Sequence, residues 1–208
     1  MKNPAIGGAF LILGGLLLSA GYASGLEGSN SAQSNAITMI MQSAINTYFD
    51  NEKTVGMSKL ILALLCLLGA LIFYRRGPFG RGLSYPLVAI GVIEFIVGGT
   101  IYFRTDDQVS SLLAQLQTDQ AAFFAEETER MALVVANFPA YKIGQLVMVA
   151  LGAIAGLYAY WRLNMTLLGT GAGLSAAGFA LWVTDASAVT EASTYYETIQ
   201  QLNRWRSG

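Results

Sequence analysis

LSYPLVAIGVIEFIVGGTIYFRTDD, residues 83–107, is apolar for long enough to cross a lipid bilayer as a helix. A helix needs about 20 apolar residues to span roughly 30 Å of hydrocarbon. The stretch follows an arginine-rich turn and ends in the charged sequence Arg104 to Asp107. Pro86 lies in the first turn of the helix, where its missing backbone N–H does little harm. We therefore expect an integral membrane protein.

The composition of the whole chain agrees with a membrane protein. Of its 208 residues 54% are hydrophobic and only 12% are charged, about half the charged fraction of a soluble domain. No basic cluster is present to neutralise phosphates, so nucleic-acid binding is not expected. The chain has no histidine and one cysteine, which excludes histidine-based triads and dyads and the usual haem and zinc ligand. We expect no enzymatic activity, no cofactor and no metal site.

The apolar blocks predict an all-α fold of five transmembrane helices in one membrane domain. The spans are residues 5–23, 58–74, 83–103, 141–161 and 165–184. The first block, with its short positive start and small residues, also fits a secretory signal peptide, but we expect a membrane helix. In the polar segments 30–50, 105–138 and 186–205, apolar residues recur at three- and four-residue spacing. This spacing predicts amphipathic helices.

Local signals place helix ends inside these polar segments. Thr105 begins a capping-box pattern, and Asn51 and Pro139 are expected to end helices. Asp119 predicts a break followed by a new helix. Residues 105–138 should therefore form either a helical hairpin or one long bent helix.

Basic and acidic residues are separated along the chain. One set of segments is basic and contains no acid, whereas the other set holds every acid except Glu94. The basic set carries Lys2, Arg75, Arg76, Arg81 and Arg162. The positive-inside rule then predicts a membrane protein with its N-terminus in the cytoplasm and its C-terminus outside. The three amphipathic segments are expected to form an acidic extracytoplasmic cap over the bundle.

Glu94 is the only acid or base expected at mid-membrane depth. A carboxylate there is costly and usually faces the bundle interior, a water-filled path or a partner. No lysine or arginine is expected at its depth, and the polar residues expected near it are Cys66 and Ser175. Glu94 is either a proton- or ion-handling carboxylate or a protonated side chain that is hydrogen-bonded between helices.

Two charged groups are candidates for binding a cation or a basic partner. They are the corner of Arg104, Asp106 and Asp107 and the cluster of Glu126, Glu127, Glu129 and Arg130. A capped helix start and a solvated helix face explain the same residues without a ligand. Small residues spaced for close helix packing form a third group. These are Gly15, Ser19, Gly152, Gly156, Gly169 and Gly173.

About a third of the chain resembles a group of small bacterial inner-membrane proteins with no established activity. The resemblance covers residues 73–142 and includes PFGRGLSYPLVAIGVIEFIVGGTIYFRTDDQV and AAFFAEETERMALVVANFPAYK. Its recurring pieces are the RG-x-x-x-P turn, the Tyr-x-Arg-Thr-Asp corner, the Glu-x-x-Arg-Met helix and the Asn-Phe…Tyr-Lys entry to a span. The resemblance implies a multi-pass topology in a bacterial inner membrane, and it implies that glutamine often stands where this chain has Glu94.

These observations favour a non-enzymatic protein that binds a protein partner in or beside the lipid bilayer. One concrete form is an immunity-type protein that blocks a membrane-targeting toxin, and another is an accessory subunit of a membrane complex. The helix faces that carry the small residues would also suit packing in a homo-oligomer. The alternative is a small channel or proton-coupled carrier that uses Glu94.

Overall fold

The structure is a computed structural model that describes residues 26–207, with side chains from residue 32 onward. This part of the chain is four long helices joined by very short turns. They are α1 (Leu26–Tyr74), α2 (Gly77–Thr118), α3 (Gln120–Trp161) and α4 (Met165–Ser207). All four are long and apolar enough to cross a membrane. The all-α prediction is confirmed for the described residues, but a five-helix count is not, because the predicted span 5–23, with Gly15 and Ser19, lies outside them.

Each helix joins a predicted span to a predicted polar segment without interruption. Residues 30–50 and 58–74 both lie in α1, and residues 165–184 and 186–205 both lie in α4. The segment 105–138 is divided between the end of α2 and the start of α3. The described residues therefore contain no separate cap of helices, because the polar segments extend the apolar helices directly.

Three of the predicted helix ends are wrong, and one is confirmed. Asn51, Thr105 and Pro139 all lie inside continuous helices, and the Thr105 hydroxyl donates to the Ile101 carbonyl at 2.6 Å instead of capping a helix. Asp119 does separate α2 from α3, and its carboxylate accepts from the Ala122 N–H at 3.0 Å. Gln115 and Glu126 lie side by side across this turn, so the segment is a helical hairpin.

The helices pack as two antiparallel pairs. α1 packs along α2 and α3 packs along α4, while α2 and α4 form most of the contact between the pairs. Gly77 in the turn between α1 and α2 has a φ of 84°, a left-handed conformation that glycine adopts without strain. Leu163 takes a φ of 52° in the turn between α3 and α4.

Each helix is about twice as long as a membrane is thick. The helices have 42 to 49 residues, which corresponds to roughly 63–74 Å against about 30 Å of hydrocarbon. We call residues 58–103 and 141–184 the apolar half and residues 32–57, 104–140 and 185–207 the acidic half. Large apolar side chains such as Leu65, Ile96 and Ile154 are more than half exposed in the apolar half, as expected for a surface that faces lipid.

The acidic half has a hydrophobic core of its own. Its buried members come from all four helices, and the largest of them are completely enclosed. They are Ile37, Met41, Ile45, Phe49, Leu116, Phe123, Phe124, Met131, Ala192, Tyr195, Ile199 and Leu202. Most of these residues are the apolar stripes of the amphipathic segments, so the stripes pack on one another.

Candidate functional site

Four polar side chains, one from each helix, meet where the apolar half joins the acidic half. The Lys59 ammonium on α1 donates to Glu94 Oε2 on α2 at 3.0 Å and to Asp185 Oδ1 on α4 at 2.9 Å. The Gln145 amide on α3 donates to Asp185 Oδ2 at 2.6 Å. We call these four residues the polar cluster. Its ionic and polar contacts link the two helix pairs.

Three members of the polar cluster are buried, and Asp185 is partly exposed. Lys59, Glu94 and Gln145 are each less than a tenth exposed, whereas the Asp185 side chain is 25% exposed. Counted along α2, Glu94 lies about 26 Å from the first residue, Gly77. Its contact with Lys59 puts Glu94 level with the start of the apolar half on α1.

The prediction that no basic residue lies at the depth of Glu94 is wrong, because Lys59 contacts it directly. Lys59 and Gln145 lie within about one turn of the start of a predicted span, and Asp185 directly follows the end of one, where polar residues ordinarily face water. The spacing of residues along α1 indicates where the Lys59 side chain points. Lys59 shares a face of α1 with Ala63 and Ala70, which are buried, so Lys59 points into the bundle.

Cys66 and Ser175 are not part of the polar cluster. Cys66 is partly buried on α1, about 10 Å along the helix from Lys59. Ser175 lies about 15 Å along α4 from Asp185 and donates to the Val149 carbonyl on α3 at 3.0 Å. In residues 26–207, no group of three or more cysteine and acidic side chains is arranged to hold a metal ion.

The predicted corner at the start of the acidic half forms ion pairs between α1 and α2. Asp106 pairs with Lys53 at 2.7 Å, and Arg104 pairs with Glu52 at 3.1 Å. Asp107 is exposed. Ion pairs of this exposure contribute little stability.

The predicted surface cluster on α3 divides into buried and exposed members. Glu126 and Glu129 are exposed, as a solvated face requires. Glu127 is only 2% exposed, so its placement on that face is wrong. It accepts two hydrogen bonds from Arg130, at 2.6 and 2.7 Å, and one from the Tyr195 hydroxyl at 2.9 Å.

The position of Glu127 could have been found from its spacing along the helix. Glu127 lies four residues from Phe123 and four from Met131, and both are fully buried. Residues four apart share a face of a helix, so the carboxylate points into the core. Such a group is tolerated there only when it is fully paired.

Burial changes the acid–base behaviour of the two tyrosines in this region. Burial, the Glu127 charge and the hydrogen bond to Glu127 together raise the pKa of Tyr195 above its usual value near 10. Burial and the charge of Glu52 likewise raise the pKa of Tyr48, whose ring stacks on Tyr195 at 4.5 Å. The fold therefore favours the neutral phenols, and this stabilisation is present below about pH 10 and is lost as the pH rises further.

Several glycines allow close helix approach in the apolar half. A Cβ on Gly169 would overlap the Phe79 carbonyl oxygen, and one on Gly173 would come within 2.5 Å of Pro86. A Cβ on Gly152 would come within 2.6 Å of the Gly171 carbonyl oxygen.

Gly156 has more room, since a Cβ there would meet only Leu168, at 3.9 Å. A Cβ added at Gly171 would nevertheless come within 2.6 Å of the backbone nitrogen of Gly156. The α2–α4 and α3–α4 contacts of the apolar half are therefore close backbone contacts.

Comparison with models of protein families, with curated protein sequences and with solved structures found no match for this chain.

Proposed function

We propose that the protein is a non-enzymatic membrane protein that binds a protein partner through the acidic half. The observation that carries this proposal is the charge of its exposed surface. Seven acidic side chains are exposed in the acidic half, against three basic ones. The acids are Asp50, Asp106, Asp107, Asp119, Glu126, Glu129 and Glu197, and the bases are Arg104, Arg204 and Arg206. A partner with a basic surface fits this excess of acids.

The internal packing of the acidic half supports a binding role. Its core is contributed by all four helices, and the Glu127 carboxylate of α3 accepts a hydrogen bond from Tyr195 of α4. A surface that is already ordered loses little conformational freedom when it binds, which favours affinity. The helices thus present the exposed acids at fixed positions.

The proposed topology has five spans in a bacterial inner membrane, with the N-terminus in the cytoplasm. Arg75, Arg76, Arg81 and Arg162 lie at the end of the bundle opposite the acidic half. The positive-inside rule puts such an end in the cytoplasm, so the acidic half forms an extracytoplasmic cap. An immunity-type protein against a membrane-targeting toxin and an accessory subunit of a membrane complex are the two concrete forms of this function.

Reversal of two charges on α3 tests the proposal. The variant Glu126→Lys/Glu129→Lys is expected to reduce recovery of a stoichiometric partner at least tenfold, because both side chains are exposed and repulsion would replace attraction. The measurement is quantitative affinity purification of the tagged protein from gently solubilised native membranes.

Glu126→Asp/Glu129→Asp, which keeps both negative charges at the same positions, is the matched control and should keep the partner. Purification of the wild-type protein as a homo-oligomer alone would contradict the proposal. Undiminished recovery with the α3 variant would contradict the proposed surface.

The second candidate function is proton-coupled transport that uses Glu94, and the burial of the polar cluster favours it. Buried ionisable groups inside membrane segments often mark ion pathways. The close packing of α2 against α4 at Gly169 and Gly173 argues for a carrier over an open channel.

In liposomes, Glu94→Gln is expected to abolish proton flux if the protein is a carrier, while Asp106→Asn should retain it. Wild-type flux no greater than that of empty liposomes would eliminate this candidate.

A further inference from the structure

We propose that residues 1–23 are a secretory signal peptide, removed by hydrolysis of the peptide bond between Ala23 and Ser24. The inference rests on the proposed orientation, in which the acidic half lies outside the cytoplasm. The five spans of that topology then belong to the precursor, and the mature chain keeps the four spans of α1 to α4. The cleaving enzyme is a membrane-bound endopeptidase that selects small side chains before the cleaved bond.

The distance between the start of α1 and the apolar half is the first support. α1 begins at Leu26, and continuous helix of about 48 Å separates Leu26 from residue 58, where the apolar half begins. Residue 23 is three residues from Leu26, so the chain between them covers at most about 11 Å. A span ending at residue 23 would therefore end at least about 37 Å from the apolar half of α1. A helix that crosses the same bilayer must instead end at the bilayer surface.

Hydrogen bonds at the far end of the acidic half show that α1 does not turn back toward the membrane. Gln33 Nε2 on α1 donates to the Trp205 carbonyl on α4 at 3.1 Å. Trp205 lies about 31 Å along α4 from residue 184, the end of the apolar half. The Gln120 amide, at the first residue of α3, donates to the Thr38 hydroxyl at 2.6 Å. The start of α1 is therefore held at the end of the bundle farthest from the apolar half.

The surface of the acidic half offers residues 5–23 no continuous apolar area on which to lie. The core side chains there are enclosed by the four helices themselves. In the described part of the acidic half, the exposed large apolar side chains are scattered over three helices. They are Met39, Met57, Leu133 and Trp205. An apolar segment kept at this end of the bundle would face water at a free-energy cost, and its removal avoids that cost.

The sequence of residues 1–23 has the three parts of a signal peptide. Lys2 gives a positive start, residues 5–18 are an apolar run, and small residues follow from Ser19 to Ala23 around Tyr22. An apolar run of about 10–14 residues suits a signal peptide better than a membrane span. Gly21 and Ala23 place small side chains three residues and one residue before the proposed bond, which is the pattern of a cleavage site.

The cleavage is a simple hydrolysis. One water molecule adds across the Ala23–Ser24 bond and leaves a carboxylate on Ala23 and an amino group on Ser24. The mature chain then begins two residues before α1, which starts at Leu26. All four described helices and the core of the acidic half are retained.

The N-terminus of the mature chain tests the proposal. The full chain, tagged at its C-terminus, is produced in a bacterial host, recovered from the membrane fraction and measured by intact mass spectrometry and N-terminal sequencing. The wild-type chain is expected to begin at Ser24. The variant Gly21→Leu/Ala23→Leu is expected to keep residues 1–23 and to reduce the cleaved fraction at least tenfold. Leucine there replaces a small side chain in each small-x-small pair from Ser19 to Gly25.

Gly7→Leu/Gly8→Leu makes the same exchange within the apolar run and is the matched control, so this chain should still begin at Ser24. A wild-type chain that keeps residues 1–23 would overturn the proposal. So would a Gly21→Leu/Ala23→Leu chain that loses them as completely as the wild-type chain does. These readouts are masses of the chain itself and do not depend on recovery of a partner, so the processing proposal and the binding proposal can fail separately.

Discussion

Replacement of Arg130 by alanine is expected to destabilise the acidic half by about 3 kcal/mol, because it leaves Glu127 charged, buried and without its main partner. The Glu127 side chain is 2% exposed and receives two of its hydrogen bonds from Arg130. Arg130 itself is 31% exposed, which places the loss at the lower end of the range for breaking a buried ion pair. The measurement is chemical unfolding in mixed micelles followed by circular dichroism.

Two further variants separate the cost of the unpaired Glu127 charge from a loss of stability that any arginine-to-alanine change would cause. Arg204→Ala removes an exposed arginine of α4 and should change the unfolding free energy by less than about 0.5 kcal/mol. The double variant Glu127→Gln/Arg130→Ala should recover part of the loss, since the amide carries no charge and can still accept from Tyr195. A double variant less stable than Arg130→Ala alone would show that the buried charge is not the cause.

Gly169→Ala should also destabilise the protein by about 3 kcal/mol, near the top of the range for an overfilled contact. The added methyl group would overlap the Phe79 carbonyl oxygen of α2. Because this atom belongs to the backbone, it cannot move without separating α2 from α4. The unfolding free energy in mixed micelles is again the measurement.

Gly144→Ala is the matched control for Gly169→Ala. It lies on α3, where a Cβ would meet nothing within 4 Å, so the higher helix propensity of alanine should raise stability by up to about 1 kcal/mol. If both alanine variants gained stability to the same extent, the close approach of α2 and α4 at Gly169 would be wrong.

Much of the secondary structure could be predicted because it depends on local patterns. Apolar runs of about 20 residues located helical stretches, and the three- and four-residue spacing located the stripes that form the core of the acidic half. The expected ends at Asn51, Thr105 and Pro139 were wrong because capping and breaking signals are weak beside the packing of a long helix against its neighbours. At Asp119 the capping signal was right, because its carboxylate does cap the start of α3.

The candidate sites were less predictable because a site depends on how helices are rotated and paired. Glu94 could be singled out from its apolar surroundings, whereas Lys59, Gln145 and Asp185 looked like residues at the ends of spans. The closest sequence separation among members of the polar cluster is 35 residues, between Lys59 and Glu94. No local pattern relates residues so far apart.

The sequence by itself determined that this chain forms apolar helices with amphipathic, acid-rich extensions, because length, hydropathy and helical period are properties of single segments. Only the tertiary structure decided that Lys59 pairs with Glu94, that Tyr195 of α4 binds Glu127 of α3, and that Gly169 meets the backbone of α2. Those outcomes depend on which face of each helix meets its neighbour, and that choice is made by the packing of all four helices together.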